Sequence, residues 1–338
     1  MMSPVENIGQ ELIDFMKDFI PLGQKLAEVS LFTVLTLLAV VLISWLEGRL
    51  AARIRMRRGK NLKQSVAEIF KYLFKESIVP ERANAGLFFT APLLAFVLCL
   101  FLFLFLPMRP ERTTPRLELG LLYLLFAGSF GIYTFILGGW SSGSRFGFLG
   151  AVRAFAQTLS CQLVLTLAAT VVLMSAGSAN LSAIVAAQDE FWYIVPHFPV
   201  FVLFILCCSM MLAQAPFEGP KSQKELASGI YSEYSGTLYF FFLCADRILL
   251  LLAAVLGTIL FLGGWQPVFA EPGRMPPFVW LAAKTVGFLF ILIMVRTVLP
   301  SYRTDQLMRM SYKIFLPFAV IWVFLTAAAV LAFGGGAA

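Results

Sequence analysis

Eight apolar runs, each close to the length of a bilayer crossing and parted by short charged loops, constrain this chain more than any motif in it. They fall at about 28–46, 85–107, 117–138, 152–176, 194–214, 238–262, 278–298 and 314–334. A hydrocarbon core about 30 Å thick is crossed by about 20 apolar residues in helical form. Membrane β-strands are shorter and alternate in polarity, and these runs do neither. Composition agrees, with 59% hydrophobic and only 13% charged residues, where soluble domains carry roughly 25% charged. A water-soluble fold of this size cannot hide so much apolar surface. The expected fold class is an all-α integral membrane protein of about eight transmembrane helices plus interfacial amphipathic helices. Residues 28–338 read as one eight-helix membrane domain with polar loops at 47–84, 139–151, 215–237 and 299–313, preceded by a lead-in over 1–27.

Charge placement sets the expected topology. Of 26 Lys and Arg residues, 18 lie in or beside the loops after the first, third, fifth and seventh runs, ten of them in the first. Six lie on the other side, and Arg247 and Lys284 fall within runs. The positive-inside rule puts the four named loops in the cytoplasm and both termini on the periplasmic side of a bacterial inner membrane. The net charge of +7 therefore reads as topology; no nucleic-acid-binding motif surrounds the basic residues. The first ten residues lack the basic-then-apolar pattern of a removable signal peptide. Ile8, Leu12, Phe15, Met16 and Phe19 share one helical face, which fits either a surface helix or a solvated lead-in. In the first loop Val66, Ile69, Phe70, Leu73 and Phe74 form an apolar stripe, with Gln64, Glu68, Lys71 and Lys75 opposite. That is an amphipathic helix at the membrane surface, suited to anionic lipid or to framing the entrance of a lipid-fed cavity.

Few residue types here support catalysis. Cys99, Cys161, Cys207, Cys208 and Cys244 all sit in apolar runs, without the CxxC spacing of a zinc or iron–sulfur site. His197 is the only histidine, so a bis-histidine haem within this chain is excluded. No nucleophile–base pair, phosphate loop or metal cluster appears. No catalytic residue, metal or covalent cofactor is expected, and any electron carrier belongs to a partner or diffuses in.

Polar density in and beside the spans is the unusual feature, because ionisable groups in a membrane are costly and mark function. Three segments stand out. One runs from Gly139-Trp140-Ser141-Ser142 through Arg145, then Gly150 to Thr158, with small residues that permit close helix approach. A second is Ala215-Pro216-Phe217-Glu218-Gly219-Pro220 through Glu225, then Tyr231-Ser232-Glu233-Tyr234-Ser235-Gly236, where prolines and glycines put irregular backbone near membrane depth. The third, Arg296 to Met308, is an elbow whose charges can pair with one another or with a docked partner.

These stretches resemble the signature segments of the H subunit of bacterial NADH:quinone oxidoreductase, the counterpart of a mitochondrial complex I core protein. The similarity runs from about Glu47 to Pro317, and the Tyr-Ser-Glu-Tyr-Ser-Gly and Tyr-Arg-Thr-Asp-Gln-Leu-Met runs carry it most specifically. The resemblance implies a membrane subunit on which the peripheral redox arm docks, with quinone as substrate. Its partners would be the other membrane subunits, the iron–sulfur and quinone-site subunits of that arm, and lipid. It also implies a quinone channel lined by Glu47, Arg49, Arg57, Glu68, Lys71, Glu218, Arg296 and Asp305. A proton path would use Glu225, Glu233, Asp246 and the buried Lys284.

Departures from the family pattern touch that path. Three family glutamates are replaced by Gln162, Lys221 and Gln223, another is shortened to Asp246, and the tyrosine beside it is Arg247. The end of the first loop is shortened to Gly59-Lys60-Asn61. Arg247 is always protonated and is expected to pair with Asp246, making it a poor relay. The resulting expectation is coupling of electron transfer to proton translocation by an attenuated or rerouted path. Two other readings are the equivalent subunit of an energy-conserving nickel–iron hydrogenase or ferredoxin-linked complex, and a stand-alone ion transporter. The latter lacks the paired broken-helix repeats of that class.

Overall fold

The computed structural model describes residues 30, 33–107, 118–189, 191–212, 217, 229–267, 276–300 and 302–334. All regular structure among them is helical. The amphipathic lead-in over 1–27 and most of the loop at 215–237 lie outside the described residues.

The first apolar run becomes α1, Thr33–Ile54. It is followed by α2 (Leu62–Phe74), α3 (Ala85–Leu104), α4 (Gly120–Ser141), α5 (Arg145–Ala176), α6 (Leu181–Ala186) and α7 (Phe198–Met211). A 3-10 turn at Gly229–Ser232 precedes α8 (Gly236–Phe261) and α9 (Pro277–Val298). The last span starts as α10 (Thr304–Met310), passes through one π turn at Ser311–Phe315 and continues as α11 (Leu316–Gly334). Seven of these helices, with α10 and α11 taken together, are long and apolar enough to cross a membrane. The fifth expected run, at about 194–214, appears as α7, whose 14 residues span only about 21 Å at 1.5 Å per residue.

Two helices act as central posts. α8 is the most enclosed span, with 61% of its most apolar window buried, and α3, α9 and α2 pack around it. α5, 32 residues long, carries α4, α7 and α11 on its sides. Rings from several helices fill the space between: Phe201 lies 5.4 Å from Phe261 and 5.9 Å from Phe288, and Phe88 stacks on Tyr234 at 4.2 Å. The small residues singled out in sequence do bring helices together. A Cβ on Gly139 would sit 2.4 Å from Ala151 Cβ, and one on Gly150 would sit 2.9 Å from Gly229 Cα.

Loops tie the bundle at two ends. At one, Asn84 N donates to Ser141 O (3.0 Å) and Ile78 N to Ser235 Oγ (3.0 Å). Tyr234 Oη also donates there to Gly138 O at 3.2 Å. This first end gathers the C-terminal ends of α1, α4 and α9 and the starts of α3, α5, α8 and α10. At the second end, Leu121 N donates to Ala179 O and Ile194 N to Phe261 O, both at 3.0 Å.

Candidate functional site: a carboxylate between two arginines

Glu47 lies on α1, seven residues from its C-terminal end, and is only 5% exposed. Its two carboxylate oxygens face two guanidiniums, Arg247 of α8 and Arg296 of α9, each in direct ion-pair contact. Three spans thus converge on one anion inside the bundle. An isolated charge here would cost several kcal/mol, and paired partners are what make it tolerable.

Arg247 therefore does not pair with Asp246 as expected; its carboxylate partner is Glu47. Consecutive helical residues leave the axis about 100° apart, so Asp246 and Arg247 serve different neighbours. Asp246, half-buried, accepts a hydrogen bond from Tyr231 Oη at 3.2 Å. Burial, then the Asp246 charge, push the Tyr231 phenol well above its ordinary value near 10, so it stays a donor. Tyr231, in the 3-10 turn, touches Tyr239 (ring centroids 5.8 Å), which touches Tyr72 of α2 (5.0 Å). A row of three tyrosines thus joins the surface helix to Asp246.

Asp246 also lines a cavity of about 40 Å³ with Thr134 and Thr158. A second cavity of about 40 Å³ shares Leu102, Gly128, Met211 and Leu249 with it and is lined by Gln162. Gln162 Nε2 donates to Leu125 O (3.2 Å), while its Oε1 is buried without a partner among the described residues. Both cavities are lined mainly by apolar side chains, with Thr134, Thr158 and Asp246 the polar groups of one and Gln162 that of the other.

The remaining predicted residues spread over the first end. Glu68 pairs with Lys60 at 2.6 Å with both side chains over 40% exposed, a contact worth well under about 1 kcal/mol. Lys71 and Arg57 are exposed, and Arg49 lies over the Trp45 ring at 5.1 Å. Asp305 is exposed in the first turn of α10, where a negative charge complements the helix dipole. Glu233 is half-buried just after the 3-10 turn. Glu218, Lys221, Gln223 and Glu225 lie outside the described residues. On α2 the predicted apolar stripe divides. Ser65, Ile69 and Tyr72 turn to the bundle, while Phe70, Leu73 and Phe74 are exposed.

Lys284 is remote from the clasp. At the second end its Nζ donates to Leu262 O (2.6 Å) and Gln266 O (2.8 Å) and sits 4.3 Å from the Trp192 ring centre. Beside it Gln188 donates to Ile184 O and Ile259 O and accepts from Gly263 N. His197, one step before α7, takes Trp322 Nε1–H on Nδ1 (3.3 Å) and contacts Ser175 Oγ through Nε2 (2.8 Å). Sequence reasoning missed Tyr231, Gln188, Trp192 and this histidine bridge. Polar residues inside apolar runs were the available signal, but spacing does not reveal a partner. All five cysteines are buried and unpaired with one another, and no group of potential metal ligands occurs among the described residues.

Fold and site together define the class: a multi-pass helical membrane protein with an ionic cluster inside its bundle. Residues 27–327 match the family model described as NADH dehydrogenase. The H subunit of NADH-quinone oxidoreductase from Pelagibacter ubique is 39% identical over 300 residues, covering 86% of this chain and 90% of that one. Its counterpart in Parvibaculum lavamentivorans is 37% identical over 322 residues, covering 93% and 96%. That of Paramagnetospirillum magneticum is 36% identical over 305 residues, covering 88% and 89%. The chain belongs to this family, that of the NADH-quinone oxidoreductase H subunits.

Proposed function

We propose that the chain is the membrane subunit of a complex I-like oxidoreductase that forms the quinone entrance, docks the peripheral redox arm and couples quinone reduction to proton movement. The observation that carries this reading is the Glu47 clasp. A buried carboxylate with two guanidiniums, at the end where α2 and the basic loop gather, is too costly to be incidental packing. Family membership supports quinone as the substrate and the other complex subunits as partners. Charge bias supports a cytoplasmic first end, with both termini periplasmic in a bacterial inner membrane.

In this reading Glu47, Arg49, Arg57, Glu68, Lys71, Glu218, Arg296 and Asp305 border the quinone passage. The chain supplies no redox centre; its charges hold the passage open and oriented while a partner delivers electrons. Proton movement uses Glu225, Glu233 and Asp246, with Lys284 at the far end. Asp246 is suited to it because Tyr231 donates to one oxygen while a cavity opens beside it. Beyond that cavity Gln162 offers a carbonyl where a carboxylate would titrate, so this leg is attenuated or rerouted.

Two measurements on the purified complex in proteoliposomes test the reading. Alanine at both Glu68 and Lys71 is expected to weaken quinone affinity and inhibitor sensitivity; unchanged values remove the entrance from this place. The proton-to-electron ratio is expected to fall below that of relatives holding all the acids. A full ratio that collapses in both Glu225→Gln and Asp246→Asn defeats the rerouting. Co-purification with a nickel-binding large subunit replaces the whole reading with a hydrogenase.

A further inference from the structure

We propose that Arg247 is a positioning residue for the quinone passage: from α8 it draws Glu47, and with it the C-terminal half of α1, into a fixed place. This rests on the function proposed above and adds the residue that sets the geometry of one passage wall.

Three helices share the clasp: from α1, Glu47 meets both Arg296 of α9 and Arg247 of α8. What the second guanidinium adds is a direction. Arg296 alone ties α1 to α9; Arg247 ties the same carboxylate to α8, the most enclosed span and one of the two posts of the fold. α1 is otherwise loosely held, with only 22% of its most apolar window buried. Its apolar side chains Leu35, Leu38 and Leu42 are more than half exposed. Val40 and Ile43 are its buried apolar side chains, a small anchor for a 22-residue span, so a polar contact weighs heavily in setting its position. Glu47 makes such a contact, and is only 5% exposed while its neighbours Gly48 and Arg49 are not buried.

Arg247 also lies next to Asp246, whose own hydrogen bond runs to Tyr231 on another face of α8. One turn of α8 therefore holds the passage wall with one residue and presents the relay acid with the next. The two jobs are separable, because the two side chains serve different partners.

The test uses the full complex in proteoliposomes with decylubiquinone as the probe, rates being normalised to assembled complex. Arg247→Leu leaves the Glu47–Arg296 pair but frees α1 from α8. It is expected to raise KM for decylubiquinone about tenfold while kcat changes less than about threefold, as a displaced wall would. Arg247→Lys keeps a charge in reach and is expected to recover most of that loss. Glu47→Arg combined with Arg247→Glu exchanges the charges and is expected to restore KM relative to Glu47→Arg alone, which crowds three cations. An unchanged KM in Arg247→Leu overturns the proposal. So does a charge exchange that performs no better than Glu47→Arg alone. If Arg247→Leu does not assemble, the lysine variant and the exchange decide by the same criteria. If the wild-type complex reduces no quinone at all, the underlying function fails; if it does and Arg247 is indifferent, only the positioning role fails.

Discussion

The two ends of the bundle bury ionisable groups by different chemistry. At the first end a carboxylate is balanced by two guanidiniums drawn from separate helices. At the second, Lys284 is balanced by neutral groups: the Leu262 carbonyl that caps α8, the Gln266 carbonyl in the loop after it and the face of Trp192. A helix C-terminal carbonyl such as that of Leu262 carries partial negative charge and lacks an intrahelical partner, so an ammonium satisfies it well. Glu47 and Lys284 are both ionisable, but the first is met by fixed opposite charges and the second only by neutral partners. The protein pairs an end closed by charge with an end closed by neutral groups.

The largest effect that would break this contrast is expected at Glu47. Glu47→Gln leaves two guanidiniums facing an uncharged amide, and loss of one partner from a buried pair costs about 3–5 kcal/mol. Thermal inactivation of the assembled complex should move down accordingly; unchanged inactivation would mean the charges are already balanced by other groups. Lys284→Met comes next. It strips donors from Leu262 O and Gln266 O, expected to cost about 2–3 kcal/mol. The proton-to-electron ratio measured beside it tests the place of Lys284 in the proposed proton path, which predicts a lowered ratio among surviving complexes; an unchanged ratio removes Lys284 from that path.

Smaller effects follow at the contacts between these ends and at the surface. Tyr231→Phe removes one hydroxyl from Asp246 and is expected to cost about 1 kcal/mol. Difference infrared spectra, with the carboxylate band assigned through Asp246→Asn, should show that band displaced in Tyr231→Phe. A stationary band would separate Tyr231 from the acid. Least sensitive is Lys60→Met, which breaks an exposed pair with Glu68 and is expected to change stability by less than about 0.5 kcal/mol.

Much of the fold was legible because apolar runs of membrane-spanning length need no partner to be recognised. α7 was the exception, running shorter than its apolar segment suggested. The surface helix α2 was also legible, but its stripe was not one face. Tyr72, an amphipathic residue left out of the stripe, packs inward, and Phe70 and Phe74, counted within it, do not. The candidate site was readable as residue types and not as pairs. Asp246 and Arg247 are adjacent in the chain, which made their pairing look natural. The helix separates them, and the partner of Arg247 lies 200 positions earlier.

The amino-acid sequence by itself determined the solvent of this protein, the approximate places of its spans, the side bias of its charges and the family to which it belongs. Those properties depend on composition along short windows, where each residue contributes independently of what lies across the bundle. Tertiary structure alone decided that Glu47 meets Arg247 and Arg296, that Tyr231 meets Asp246 and that Lys284 closes the far end. Such contacts depend on how each helix is rotated and how deeply it is set. Rotation and depth come from the packing of Gly139, Gly150 and the phenylalanine-rich interior, a sum over many helices that no single stretch of chain contains.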